Sequence, residues 1–116
     1  MHELAVTESI IKIASDAARR NGAPRIRAIH IVMGPFGGIV PECVQMYLDV
    51  LGKGTPVEGA RLIARTLPLK VRCLDCGAES EITRRHIACP ACGSLHLKRL
   101  SGTEFYVEKL EADDPE

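Results

Sequence analysis

Four of the five cysteines in this 116-residue chain fall in two tight pairs, Cys73-Leu74-Asp75-Cys76 and Cys89-Pro90-Ala91-Cys92, with twelve residues between the pairs. A short turn lets two thiolates of each pair face one point, and two such turns complete a tetrahedron of sulfur. Zn(II) favours four thiolates at ~2.3 Å and imposes no d-electron geometry of its own. Gly77 and Gly93 directly follow the second cysteine of each pair, where a tight backbone is needed. A closed shell of four thiolates leaves no position for water, so the site reads as structural rather than catalytic. The competing chemistry is a redox dithiol, and two paired units in one short segment argue against it. His86 and His96 lie near this quartet in sequence, and they read as surface residues rather than as replacement ligands. Cys43 sits on the apolar stripe of a helix and reads as a small buried hydrophobe, and His30, in a strand, reads as structural.

The opening Met1-His2-Glu3 offers a second kind of metal chemistry. Methionine removal requires a small second residue, so Met1 is expected to remain ahead of His2. The Met1 amine, the His2 amide nitrogen and the His2 ring can then hold one cation through small chelate rings. The Glu3 amide or carboxylate can add a donor. Tetragonal, nitrogen-rich sites of this kind favour Ni(II) or Cu(II) over Zn(II). Amine and amide must lose protons to bind, so such a site weakens as pH falls.

Composition excludes several other classes. Lys plus Arg and Asp plus Glu each number 15, giving zero formal net charge. A chain-wide basic field for nucleic acid is therefore absent. Aromatic residues make up 3% of the chain, which leaves few platforms for stacking bases. A zinc-ribbon module for nucleic acid or protein is the alternative reading, with Arg84, Arg85, Lys98 and Arg99 flanking the cysteines. No nucleophile–base pair or phosphate loop appears, so an enzyme is not expected. No apolar run approaches the ~20 residues of a membrane span. With no secretory signal and an odd cysteine count, the chain reads as cytoplasmic. The charge is uneven: six acidic residues and one basic residue fall after residue 100, and residues 111–116 read as a frayed acidic tail.

The elements that must position these residues read as α+β. Residues 3–21 predict a helix, with Leu4, Ile10, Ile11, Ala14, Ala17 and Ala18 on its apolar stripe. Gly22 and Pro24 stop it. Residues 25–33 predict a strand whose alternation slips near Ala28-Ile29, as at a bulge or between two covered faces. Gly34-Pro35-Phe36-Gly37-Gly38 is a loop that lacks the frame of a phosphate cradle. Pro41 opens a second helix with Cys43, Val44, Tyr47, Leu48 and Leu51 inward, closed by Gly52. Residues 60–72 predict one long strand, with Pro68 at an edge or bulge, and residues 103–110 predict another. The expected architecture is a small mixed sheet packed by two helices, with an inserted four-Cys, zinc-ribbon-like domain. Its boundaries fall at 1–72 plus 101–116 for the α/β domain and 73–100 for the insert. The insert has almost no apolar core, so metal binding should stabilise it.

Taken together, the Met1-His2-Glu3 opening, the Gly52-x-Gly54-Thr55 and Glu58-Gly59-Ala60 stretch, the Cys73/Cys76/Cys89/Cys92 spacing and the Val107–Glu111 ending resemble one family. It is the HypA/HybF family of hydrogenase nickel-incorporation accessory proteins, and the resemblance covers essentially the whole chain. It implies a metallochaperone that binds nickel at its N-terminus and zinc in a separate small domain. It implies His2 as main nickel ligand, helped by the Met1 amine and Glu3, and zinc on the four cysteines. As partners it implies a nickel-insertion GTPase and the precursor of the [NiFe]-hydrogenase large subunit, with urease as a further client in some members. No membrane or nucleic-acid partner is expected, and a weak homodimer is left open. The chain departs from the family pattern at Gly34-Pro35-Phe36, where a Gly-Glu-Leu-like turn is common. A late acidic loop position is Val40 here, with Glu42 the nearest carboxylate. Gly77 and Gly93 stand where some relatives place a histidine, so coupling of the zinc site to pH is less expected. The part that Glu42, His86 and His96 play in metal handling is left open.

Overall fold

The computed structural model describes residues 3–83 and 85–114. Helix α1 runs over Glu3–Arg20, strand β1 over Ile26–Met33 and helix α2 over Pro41–Leu51. Strands β2 (Arg61–Thr66), β3 (Leu69–Cys73), β4 (Glu79–Ile82), β5 (Leu97–Arg99) and β6 (Phe105–Ala112) complete the chain. The strands form two three-stranded sheets, ordered β2-β1-β6 and β4-β3-β5. The α+β class is as the sequence predicts. Two compact units result, one built from residues 1–32, 38–65 and 106–116, the other from residues 33–37 and 66–105.

The first unit carries an aliphatic core. On α1 the buried residues are Val6, Thr7, Ile10, Ala14, Ser15 and Ala18. Ile10, Ala14 and Ala18 belong to the expected stripe, whereas Leu4 is 42% exposed. The buried face is thus rotated from the expected one and takes in two hydroxyls. The Thr7 hydroxyl satisfies itself by donating to the Glu3 carbonyl at 2.6 Å. Strand β1 is central, and its Ile26, Ala28, Ile29, Ile31 and Val32 are all buried. Burial on successive residues explains the slipped alternation: both faces of this strand are covered. Val44 and Leu48 of α2, with Val57, complete the packing. Gln45 ties α2 to the start of β2, donating to the Ala60 carbonyl at 3.1 Å and accepting the Leu62 N–H at 2.6 Å. Cys43, expected in the core, is only half-buried.

Residues 111–113 are held more firmly than an acidic tail suggests, and residues 115–116 of that expected tail lie outside the described residues. Strand β6 runs to Ala112, and the Asp113 N–H donates to the Arg25 carbonyl at 2.9 Å. Arg27 pairs with Asp113 at 3.0 Å and His30 with Glu111 at 2.8 Å. These acids are fixed because β6 lies beside β1, and opposite charges meet across the pair.

The single strand expected over residues 60–72 is two strands in two sheets. The break falls at Leu67-Pro68, where proline has no N–H to donate to a ladder. Strand β3 pairs antiparallel with β4, Leu69 opposite Ile82, and with β5, Val71 opposite Arg99. The second unit is wider than the 73–100 insert. It takes in all of β3, and the loop after β1 closes on its far end: the Gly34 N–H donates to the Glu104 carbonyl at 2.8 Å and the Phe36 N–H to the Gly102 carbonyl at 2.7 Å. The Arg99 guanidinium carbon lies 4.9 Å from the centroid of the Phe36 ring, a cation–π contact. The glycine-rich loop is therefore a connection tied down by backbone hydrogen bonds.

Candidate metal centre

Strand β3 ends at Cys73, and the first Cys-x-x-Cys turn carries the chain into β4; the second leads toward β5. The two turns repeat the same backbone pattern. Cys73 N–H donates to the Ala78 carbonyl at 2.9 Å, and Cys89 N–H to the Ser94 carbonyl at 2.8 Å. Gly77 N–H returns to the Cys73 carbonyl at 2.9 Å, and Gly93 N–H to the Cys89 carbonyl at 2.8 Å. Gly77 and Gly93 both have φ of +77°, a left-handed conformation that glycine adopts without steric cost. That conformation accounts for the glycine that follows each cysteine pair. The Leu74 N–H donates to the His96 carbonyl at 2.8 Å, joining one turn to the residues after the other.

The four sulfurs lie within 4.8 Å of one another. Cys73 Sγ is 3.6 Å from Cys92 Sγ, and Cys76 Sγ is 3.6 Å from Cys89 Sγ. All four thiols are free. A regular tetrahedron built on ~2.3 Å zinc–sulfur bonds has edges of about 3.8 Å, so the spacing fits a four-thiolate zinc shell. Cys73 and Cys89 are buried and Cys76 and Cys92 exposed.

The electrostatics also call for a cation. The Cys76 N–H, 3.4 Å from Cys73 Sγ, is the main influence drawing the Cys73 thiol down to about 6, helped by the Asp75 N–H against the cost of burial. At Cys92 the Ser94 N–H pulls the same way, but the Cys73 sulfur, burial and the remaining sulfurs outweigh it and push the thiol up to about 12. Cys76 is likewise raised, the Ala78 N–H being outweighed by the sulfurs of Cys89 and Cys73 and by burial. One thiolate forms readily and then opposes the next, because like charges in one site cannot all ionise. A bound divalent ion removes that conflict and deprotonates coordinating thiols outright.

Among the described residues, the four cysteines are the one group of three or more donors gathered for a metal. His86 is exposed, and its backbone exchanges hydrogen bonds with Thr83 at 3.1 and 3.3 Å. His96 Nδ1 lies 3.3 Å from Asp75 Oδ2. The Ser94 hydroxyl donates to the same Asp75 oxygen and accepts the His96 N–H at 3.0 Å. This cluster was not anticipated from the cysteine spacing. Its sequence signal is the mismatch between Cys-Leu-Asp-Cys-Gly-Ala and Cys-Pro-Ala-Cys-Gly-Ser. His30 is engaged with Glu111, in keeping with a structural part. Of the basic residues that flank the cysteines in sequence, Arg99 lies over Phe36, and Arg84 lies outside the described residues. Val40 is 46% exposed immediately before α2, and Glu42 is exposed in its first turn. Met1 and His2 lie outside the described residues, and Glu3 is the half-buried first residue of α1.

Comparison with known proteins agrees with this arrangement. The model of a family described as "Hydrogenase/urease nickel incorporation, metallochaperone, hypA" matches residues 1–112. The hydrogenase maturation factor HypA of Aquifex aeolicus is 34% identical over 113 residues, covering 97% of this chain and 98% of that one. The HypA of Chloroflexus aurantiacus is 38% identical over 112 residues, covering 96% and 98%. The solution structure of the nickel metallochaperone HypA from Helicobacter pylori matches the fold with a TM-score of 0.64 at 20% identity, covering all of both chains. A second HypA solution structure matches with a TM-score of 0.67 at 21% identity, covering 97% of this chain and 96% of that one. The chain therefore belongs to the HypA family of nickel-incorporation metallochaperones.

Proposed function

We propose that this chain binds Ni(II) through His2, with the Met1 amine and Glu3, and passes it to the precursor of a [NiFe]-hydrogenase large subunit or to urease. It acts in the cytoplasm as a carrier and not as a catalyst. A nickel-insertion GTPase is its working partner. Cys73, Cys76, Cys89 and Cys92 hold structural Zn(II), so the two metals occupy separate parts of the chain. Nickel belongs with the α/β part (1–72 plus 101–116) and zinc with the four-Cys segment (73–100).

The observation that carries this reading is the family match over residues 1–112, which takes in the Met1-His2-Glu3 tripeptide as well as the four cysteines. The chemistry supports the division. Soft, closed four-sulfur shells suit a resident zinc ion, whereas an open nitrogen-rich chelate suits nickel that must leave again. Ligand exchange from such a chelate needs no opening of a core.

Calorimetric nickel titration of the zinc-loaded protein tests the reading. His2→Ala is expected to abolish specific Ni(II) binding and to leave zinc content unchanged. Blocking the N-terminal amine is expected to weaken nickel binding as well. Equal nickel affinity in wild type and His2→Ala would refute the assignment of His2.

A further inference from the structure

The two metal-binding turns are near copies of each other. Cysteines, glycines and backbone hydrogen bonds coincide when Cys73–Ala78 is laid on Cys89–Ser94. Three positions differ. Leu74 matches Pro90, and this pair is apolar on both sides. Asp75 matches Ala91, and Ser94 matches Ala78. Each turn thus carries one polar residue where the other carries alanine, and these two residues are the ones that meet. The Ser94 hydroxyl donates to Asp75 Oδ2. The same hydroxyl accepts the His96 N–H at 3.0 Å, and the His96 ring lies 3.3 Å from the same carboxylate oxygen.

We infer that Asp75 and Ser94 form a clasp between the two turns and act as positioning residues that keep the four sulfurs assembled around their metal. Each turn supplies only two ligands, so the ion is released when the turns separate. The carboxylate takes a hydrogen bond from the opposite turn, and a bond to a charged acceptor is stronger than a neutral one. Ser94 reads both ways, fixed on one side by Asp75 and on the other by the backbone that enters β5. Groups that orient metal ligands without touching the metal alter affinity by roughly 10–100-fold. Asp75 is about half exposed, at 53% of its side chain, which places the effect at the lower end of that range. The clasp acts on the rate of metal loss, because it must open before the second pair of sulfurs can leave.

The inference rests on the zinc reading of the four cysteines, and one experiment separates the two. The full zinc-loaded chain is mixed with an excess of a chelating dye at constant pH, and zinc release is followed by absorbance. Asp75→Ala and Ser94→Ala are each expected to release zinc about tenfold faster than wild type. The double variant is expected to match the single ones, because either change opens the same clasp. Ser94→Thr keeps the hydroxyl and is expected to retain the wild-type rate. Amide protection in the first unit should be the same in all variants. Wild-type release from either alanine variant would overturn the clasp, as would a double variant faster by the product of the singles. A wild-type chain that carries no stoichiometric zinc would overturn the zinc reading and the clasp with it.

Discussion

The two compact units of this chain are held together by different physics. The first buries at least a dozen aliphatic side chains, among them Ile10, Ile26, Ile29, Ile31, Val32, Val44, Leu48 and Val57. In the second, Met33 and Val71 are the buried aliphatic side chains among the described residues, with Cys73 and Cys89 beside them. At roughly 25 cal/mol per Å² of apolar surface, the first core offsets much of the entropy of ordering its chain. The second cannot, and two of its most buried groups, Cys73 and Cys89, belong to the four-cysteine cluster. The difference shows how one small protein can hold a resident metal and still dispense with a second large core. On the proposed zinc site, metal bonds take the place of the missing apolar contacts, as in other miniature metal-bound folds.

Removing zinc is the strongest way to break this comparison. Apparent metal-binding energies in small zinc-dependent folds are on the order of 10 kcal/mol, more than the second unit can supply from two buried side chains. Chelation is expected to abolish amide protection across β3, β4 and β5 while that of α1, β1 and α2 persists. Cys73→Ser should lower zinc content and produce the same pattern. Hydrogen exchange read residue by residue distinguishes this from a uniform loss. Persistent protection in β3–β5 after complete zinc removal would show that the second unit has a core of its own.

The reciprocal change should leave the metal alone. Leu48 is 1% exposed, and truncating such a buried leucine costs about 2–5 kcal/mol through lost burial and the cavity left behind. Leu48→Ala is expected to lower the unfolding free energy of the first unit by that amount, with zinc stoichiometry and release rate unchanged. A matching change in zinc release would mean that the two units unfold as one.

This contrast also explains what could be read from the sequence. The four cysteines and the two glycines were legible because metal geometry demands specific residue types at short spacing. Both helices and β1 were legible for a similar reason, since periodic burial leaves a periodic pattern. Strands β4 and β5 left no such trace: they are four and three residues long, and their inward positions are half-buried at most. Their pairing depends on where the cysteines draw the chain rather than on alternation. The split at Leu67-Pro68 was hidden because both flanking segments are β-forming, so only the proline marked the change of sheet. The rotated face of α1 was hidden because Thr7 and Ser15 are polar by type yet buried. The Asp75–Ser94 contact needed the three-dimensional closeness of two residues that lie nineteen apart in the chain.

A smaller effect should come from Gly34. A side-chain carbon added there would overlap the Gly102 carbonyl group and fall 2.5 Å from Glu104 Oε1. Backbone atoms cannot swing aside as a flexible side chain can, so Gly34→Ala is expected to cost about 1–3 kcal/mol, as overpacking commonly does. Residues 33–37 belong to the second unit, so the loss should appear in the zinc-loaded second unit. Chemical denaturation followed by a probe in β3 measures it. A loss confined to the first unit would reassign the loop after β1.

The smallest expected effect concerns acid. In the first unit, Glu111 is held below the usual carboxylate range, chiefly by the hydrogen bond to His30, against the opposing effect of burial, and with further help from the charges of His30, Lys109 and Arg27. A carboxylate whose pKa is lower folded than unfolded binds fewer protons in the native state. Its contribution to stability is therefore complete above the unfolded value of about 4.3 and fades as pH falls through the lower, folded value. Glu111 is 47% exposed on its side chain and His30 19%, so solvent screening keeps the contribution modest. The second unit should lose stability in acid for another reason, because its thiolates take up protons and release the metal. His30→Ala is expected to flatten the acid limb of the first unit's stability curve and to leave acid-driven zinc release where it is. Denaturation midpoints measured from neutral pH to below 4, alongside zinc release over the same range, test both halves. An acid limb in the first unit that is identical with and without His30 would remove the ion pair from the account, and a shifted zinc release would tie the two units to one titration.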